Sequence, residues 1–402
     1  MAPPRTNTTN DPSGLPSDPK PFLGYGRQCI DEDDERAVLA VLRGDYLTQG
    51  PAVEAFEDAL CRATGAPRAV AVSSGTAALQ LAYRILGVER GSVVWVPANT
   101  FLASATTALH AGARVELLDV DHETGNLDVG ELERRLEEGP VPDVVCVVHF
   151  AGLACDMQRL IDLKRRHGFA ILEDAAHALG ASYLVDGRAF GPGSHPAIDA
   201  ACLSFHPVKT ITTGEGGAVL VPDSSSAARL RRLRSHGVAR DYSTDVPFAP
   251  MLELGWNARL SDLHAALGAS QLTKLEAFVE RRNALAERYA HGLAGLADVQ
   301  LPSTAPAGER HAWHLFVLRV QEHERGPLVA YLRERGIGTQ LHYAPLSWHP
   351  WFRTHLQARV PAAEAHARRA LSLPLHPGLR DVDVDRVVEA LASWRQAPAR
   401  CA

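Results

Sequence analysis

DAACLSFHPVKTITTGEGGAVLV, residues 199–221, places two apolar runs on either side of a loop rich in Pro, Thr and Gly. The flanking runs, DAACLSF (199–205) and GGAVLV (216–221), read as strands, and the intervening HPVKTITTGEGG breaks helix and strand alike. Lys209 therefore projects from a loop over the strand ends. Working outward, the same kind of run recurs upstream as AVAVS (69–73), VVWVP (93–97), RVELLDV (114–120), DVVCVVHF (143–150) and FAILED (169–174). Helix-period segments such as TAALQLAYRIL (76–86) and MQRLIDLKRRHG (157–168) lie between them, with Gly168 at the expected helix stop. Alternating units of this kind predict an α/β fold built on a mainly parallel sheet buried on both faces by helices.

Beyond about residue 225 the pattern changes to amphipathic helix, as in SDLHAALGASQLTKLEAFVERRNALAERYAHGL (261–293). HLFVLRV (314–320) then reads as a strand and PLVAYLRERG (327–336) as a helix, predicting a smaller α+β domain. The expected organisation is an arm over 1–20, a large α/β domain over 21–260 and the small domain over 261–402. The arm, MAPPRTNTTNDPSGLPSDPK, is polar, lacks the apolar region of a signal peptide and reads as disordered.

Composition excludes several classes of function. With 402 residues, 46% of them apolar, a net charge of −6 and no run approaching the ~20 apolar residues of a membrane span, the chain reads as a soluble globular enzyme. No basic field is present to hold nucleic acid. Cys29, Cys61, Cys146, Cys155, Cys202 and Cys401 show no C-x-x-C spacing, which fits reduced thiols and a cytoplasmic location. The histidines form no H-E-x-x-H or comparable ligand set, and no G-x-G-x-x-G follows the first strand, so metal hydrolysis and dinucleotide binding lack their motifs.

In an open α/β sheet the ligand binds at the carboxyl ends of the strands. Four segments lie there: SSGTAAL (73–79), PANTFLASA (97–105), EDAAHALGA (173–181) and SFHPVKTITTGEGG (204–217). In the first, Gly75 permits close backbone approach, and the N–H groups of Thr76 and Ala77 open a helix where a phosphate fits; an ordinary strand-to-helix turn is the alternative. Asp174 is placed either to keep a pyridine nitrogen protonated or to cap a helix over AAHAL. His177 reads either as a donor to a cofactor's phenolic oxygen or as a surface histidine of that helix. A lysine such as Lys209 is most often exposed, but near an apolar site its amine becomes nucleophilic towards an aldehyde.

Taken together, these segments and GWNARLSDLHAALGASQL (255–272) resemble the DegT/StrS nucleotide-sugar aminotransferases, fold-type-I enzymes dependent on pyridoxal 5'-phosphate (PLP). The resemblance runs from about Leu23 to Leu379. S-F-H-P-V-K followed by I-T-T-x-E-G-G is similar to the branch that aminates C4 of a UDP-linked 4-keto-6-deoxy-N-acetylhexosamine in the pseudaminic acid route. The resemblance implies that Lys209 is the Schiff-base lysine, Asp174 the partner of the pyridine nitrogen and His177 the neighbour of the phenolic oxygen. It implies that Thr76, Ala77 and Ser204 hold the phosphate and that Phe101 stacks on the ring. Asn257 matches an asparagine that reaches the phosphate in the other subunit, implying a homodimer with shared sites.

Tyr46 and Thr48, in YLTQGP (46–51), and His342 and Tyr343, in GTQLHYAPL (338–346), fall where the family lines its sugar-nucleotide pocket; structural packing is their alternative. The implied reaction moves an amino group from L-glutamate to the keto-sugar by double displacement, through pyridoxamine phosphate. A lysine at position 209 favours transamination over the dehydratase relatives that carry histidine there. A 3-keto-sugar or keto-inositol aminotransferase and, remotely, a non-catalytic binding or regulatory protein are the competing readings. G-P-G-S-H-P (191–196) is longer than in many relatives, which leaves the sugar open.

Overall fold

A computed structural model describes residues 22–239, 249–356 and 358–396; the expected arm over 1–20 and Cys401 lie outside the described residues. The strands are β1 (Arg68–Val72), β2 (Val93–Pro97), β3 (Arg114–Leu118), β4 (Val144–Val148), β5 (Ala170–Asp174), β6 (Tyr183–Val185), β7 (Arg188–Phe190), β8 (Ala200–Ser204), β9 (Gly217–Val221), β10 (Phe316–Arg319) and β11 (Ala370–Leu373). Seven of them form one sheet in the order β1-β9-β8-β5-β4-β2-β3. They are the seven apolar runs of the sequence, with ends that agree to within two residues. β9 alone runs antiparallel to its neighbours β1 and β8, while β8, β5, β4, β2 and β3 pair in parallel. Every residue of β4 and β9 is buried, as required of strands covered on both faces.

The helices are α1 (Glu32–Leu42), α2 (Pro51–Thr64), α3 (Gly75–Ile85), α4 (Ala103–His110), α5 (Val129–Glu138), α6 (Met157–His167) and α7 (Ser224–Leu233). They are followed by α8 (Asp262–Leu272), α9 (Leu275–Leu293), α10 (Glu322–Glu334), α11 (Pro350–His355), α12 (Pro361–Arg369) and α13 (Asp381–Gln396). Their ends carry the expected signals. Asp156 caps α6 by accepting from the Arg159 N–H, and Gly168 closes it in the left-handed region at φ +87°. One helical face packs Leu79, Ala82 and Leu230 against Val70, Val94 and Val219 of the sheet. The other face packs Leu132, Leu160 and Ile161 against Val145, Val147 and Ile171.

The single helix expected over 261–293 is two. Thr273 turns its hydroxyl onto the Ser270 carbonyl (2.7 Å), and Lys274, at φ −103° and ψ 0°, is the N-cap of the second helix while its ammonium reaches Asp34 (2.7 Å) in α1 and Asp31 (2.8 Å) at its N-cap. A hydroxyl that bonds local backbone competes with the helix ladder, and the anchored lysine holds the break. α8 packs on α1 and α2, whereas Leu285, Tyr289 and Leu293 of α9 join the core formed by β10, β11, α10 and α13.

One buried cluster locks the edge of the sheet that carries the first strand-end turn. The Glu57 carboxylate of α2 accepts from the Ala71 N–H (3.0 Å), from Arg231 (2.7 Å) and from Arg234 (2.5 Å) of and beside α7. Arg234 also donates to the Ala71 carbonyl (2.7 Å). Removing the carboxylate strands Arg234 next to β1, so Glu57→Ala is expected to destabilise the fold by about 3 kcal/mol. The check is a lowered midpoint in urea unfolding at unchanged slope.

Candidate active site

The strand ends converge on a cavity of about 550 Å³ whose walls include Ser74, Gly75, Thr76, Phe101, Asp174, His177, Ser204, Lys209, His342 and Tyr343. The first wall is a cup. Ser74 caps α3, and the N–H groups of Gly75 and Thr76 lie in its first turn, where no intrahelical carbonyl reaches them. The fit is close enough to require glycine. A Cβ on Gly75 would lie 2.9 Å from the Ser204 Cβ, and one on Gly217 would lie 2.5 Å from the Ser74 carbonyl. The Ala77 N–H, expected to be available to an anion, instead donates to the Ser74 hydroxyl (3.1 Å) as the helix cap. Ser74 takes its place in the cavity wall.

Asp174 ends β5 and is buried. No helix follows it, so the capping alternative falls away; residues 175–180 turn back on themselves and bury His177. The Asp174 carboxylate accepts from the Ser104 hydroxyl at 2.7 Å through Oδ2 and from the Ala176 N–H at 3.2 Å through Oδ1. Ser104 is itself 2.6 Å from the Thr100 hydroxyl. Neither Thr100 nor Ser104 was singled out in the sequence. Their signal was present as two hydroxyls four residues apart, one helical turn, at the end of the strand next to β4.

Lys209 rises from the loop after β8, and its backbone N–H closes a turn on the His206 carbonyl (2.9 Å). Withdrawal from water lowers its amine from 10.5 to about 8, against the opposing charge of Asp174. Lysine is scarce in this chain, and the structure pairs off the other described lysines. Of the 41 lysines and arginines only four are lysines, Lys20, Lys164, Lys209 and Lys274. Lys164 pairs with Asp199 and Lys274 with Asp31 and Asp34, leaving Lys209 the one lysine without a carboxylate partner among the described residues.

Phe101 is 56% exposed at the cavity, not a core residue, with its ring 6.1 Å from that of Tyr343. The Tyr343 N–H donates to Asn99 Oδ1 (3.1 Å), and its hydroxyl lies 3.0 Å from His177 Nε2. His177 Nδ1 accepts the Ala151 N–H (3.3 Å). Burial first, then the Lys209 charge, holds His177 well below the usual histidine range, so the ring is neutral. His314, also absent from the sequence reading, lies with its ring 4.2 Å from His177. Ala151 and Trp313 behind this pair have φ of +59° and +45°, a left-handed backbone costing about 1–2 kcal/mol for each non-glycine residue. His342 bonds Ser372 through Nδ1 (2.8 Å), and burial, then Lys209, lowers it to about 3.

Besides Ala77, three of the residues read from the sequence are not brought into this cavity. Tyr46, Thr48 and Asn257 are exposed; Thr48 bridges Ser261, the Asp262 N–H donates to the Leu47 carbonyl (3.0 Å), and Asn257 bridges Ser235. The G-P-G-S-H-P stretch also lies elsewhere. Gly193 donates to Glu173 Oε2 (2.5 Å), and Gly191 packs on the Thr64 carbonyl, so the insertion does not shape the cavity. No cluster of His, Cys, Asp and Glu able to hold a metal occurs among the described residues, and none of their helices is long and apolar enough to cross a membrane.

The sequence profile of the DegT/DnrJ/EryC1/StrS aminotransferase family matches residues 28–392. The chain is 36% identical over 383 residues to the spore coat polysaccharide biosynthesis protein SpsC of Bacillus subtilis, covering 92% of this chain and 96% of that protein. Its structure matches Helicobacter pylori PseC, an aminotransferase involved in the biosynthesis of pseudoaminic acid, with a TM-score of 0.85 at 26% identity over 93% of this chain and 99% of that one. It also matches the PLP form of the putative sugar aminotransferase Spr1654 of Streptococcus pneumoniae, with a TM-score of 0.84 at 28% identity over 93% and 99% of the two chains. The chain belongs to the DegT/DnrJ/EryC1/StrS family and is an aminotransferase with the fold of the fold-type-I PLP-dependent transferases.

Proposed function

We propose that this sugar aminotransferase uses PLP to move an amino group from L-glutamate to the C4 keto group of a nucleotide-linked 4-keto-6-deoxy sugar. The observation that carries the cofactor reading is the pairing, across one cavity, of a desolvated lysine with a buried carboxylate whose position a serine holds. The existence of solved PLP and PMP forms of Spr1654 agrees with it. PLP supplies an electron sink for the carbanion formed when a proton leaves the amino donor or returns to the product.

The chain's residues have separable roles in this reading. Lys209 is the covalent anchor and the base that carries the proton: with its amine at about 8, about one-tenth of it is neutral at pH 7, against fewer than one in a thousand for an ordinary lysine. Asp174, kept on target by Ser104 and Thr100, presents negative charge to the ring nitrogen. The cup of Ser74, Gly75, Thr76 and Ser204 offers N–H and hydroxyl donors to a phosphate, and the fit at Gly75 and Gly217 leaves no room for a Cβ on the backbone that would touch it. Phe101 offers an exposed ring face for stacking.

No arginine lines the cavity, and Lys209 is the one lysine there among the described residues. A dianionic donor and a nucleotide diphosphate call for more positive charge and more donors than one chain presents. A second copy supplies them in this reading. Close in sequence to Asn257, Tyr46 and Thr48, the exposed Leu42, Leu47, Met251, Leu252 and Leu254 offer an apolar face suited to a homodimer. Across the two-fold axis that face would complete the partner's site, which explains why these three residues miss their own. The proposed division into a large domain over 21–260 and a small one over 261–402 then brings His342 and Tyr343 from the small domain onto the same ligand.

Two experiments test this reading. In a panel of UDP-, dTDP- and GDP-linked keto-sugars assayed with glutamate, a 4-keto-6-deoxy substrate is expected to gain nitrogen at C4 by NMR; amination at C3 rejects the assignment of the carbon. Mixing Lys209→Ala with Asn257→Asp, each inactive alone, is expected to restore up to about a quarter of wild-type turnover through hybrid dimers that keep one intact site. No recovery after subunit exchange rejects the shared site.

A further inference from the structure

Lys209 borders a second space besides the large cavity at the strand ends. This one measures about 10 Å³, the room of a single water, and its walls include Cys29, Thr210, Thr212 and Gln271. None of these four lines the large cavity, and Lys209 is the one residue common to both walls. On the outer side stand Arg27 and Gln28, both exposed, so the space runs from the back of the lysine towards the surface.

The polar groups around it are incompletely used. Gln271 of α8 is buried, and its carboxamide is oriented by its hydrogens: Nε2 donates to Asp34 (2.6 Å) and to the Cys29 carbonyl (2.9 Å). A flipped amide would set its oxygen against the Asp34 carboxylate, so Oε1 is committed to the loop that carries Lys209. There it accepts the Thr212 N–H at 3.4 Å and no other donor among the described residues, although an amide oxygen has two lone pairs. Thr210 is only 5% exposed, and no hydrogen bond engages its hydroxyl among the described residues. A buried hydroxyl, a half-used carbonyl oxygen and a lysine thus surround a void of one water's size, and a buried water needs two to four such partners.

We propose that this space holds one water, bonded by Thr210 and Gln271, and that through it Lys209 exchanges its proton with solvent while cofactor and substrate fill the front of the cavity. The inference rests on the reading of that cavity as a PLP site. A lysine that takes a proton from the amino donor becomes an ammonium with three hydrogens. The water accepts one of them as a proton and releases a proton outwards past Gln28, and the amine regains a proton by the same path. Only N–H and O–H bonds change, and no charge accumulates.

The test follows a label through one half-reaction. Cofactor-loaded protein is given L-glutamate deuterated at its α-carbon in ordinary water, and the deuterium kept at C4′ of the released pyridoxamine phosphate is read by mass spectrometry. Without exchange at most about one label in three is kept, because the deuteron is one of three ammonium hydrogens. Wild-type protein is expected to keep several-fold less. Thr210→Val, which retains the shape and removes the hydroxyl, is expected to raise retention at least about threefold towards that limit, since it takes away one of the water's partners. Thr210→Ser, which restores the hydroxyl, is expected to behave as wild type. Wild-type retention already at the limit, or Thr210→Val no different from wild type, overturns the proposal. A crystal structure of the cofactor-free wild-type protein tests the site without any reaction: an ordered water within hydrogen-bond reach of Thr210 and Gln271 is expected, and an empty space overturns the proposal. Protein that shows this water but takes up no PLP defeats the cofactor reading, and the exchange route with it, while the water site stands.

Discussion

The amine of Lys209 stands in a cavity that withdraws it from water, with Asp174 as the carboxylate whose charge reaches it. The two pull in opposite directions. Burial favours the neutral amine and lowers it to about 8, while Asp174 favours the ammonium and stops the fall there. A lysine poised in this way is a usable nucleophile and a usable base near neutrality. The remainder of the site serves to keep that balance. Ser104 commits one oxygen of Asp174, and His177, His314 and His342 are lowered by burial and by the lysine's own charge, so these three add no competing cation.

The fold supplies the constraint by ordinary means. A sheet buried on both faces exposes its loops only at its ends, and four of these loops deliver the cup, the hydroxyl pair, the carboxylate and the lysine. β9 runs antiparallel between β1 and β8, and it puts Gly217 where the cup must touch Ser204. The second core, around Leu285, Phe316 and Leu373, carries His314, His342 and Tyr343 to the far wall. The two cores meet along α9, whose N-terminal half packs with the large sheet's helices through Leu275 and Val279.

Local pattern and tertiary geometry divide what was legible in the sequence. The seven strands were readable because each is a short apolar run bounded by turn residues, and Gly168 marked its helix end for a stated stereochemical reason. The placement of Lys209, Asp174, Ser204, Phe101 and Gly75 at the cavity was readable because each ends or follows such a run. The break at Thr273 was not, since it depends on Asp31 and Asp34 more than two hundred residues away. The engagement of His177 was hidden for the same reason: its partners come from the turn after β4 and from a segment near the far end of the chain. Ala77 was misread because the cap that consumes its N–H is a side-chain choice made by Ser74. Ser104 was in plain view four residues after Thr100, yet only the fold reveals that the pair faces Asp174.

The centre of this account is that one lysine among four is both anchored at the cavity and shifted towards neutrality. The most direct measurement exposes cofactor-free protein to PLP at a series of pH values, fixes the adduct with borohydride and maps it by peptide mass. The account predicts one modified residue, Lys209, with a rate that rises through a half-maximum near pH 8. Modification spread over Lys164 and Lys274, or a rate at Lys209 that keeps climbing towards the 10.5 of an ordinary lysine, would contradict it.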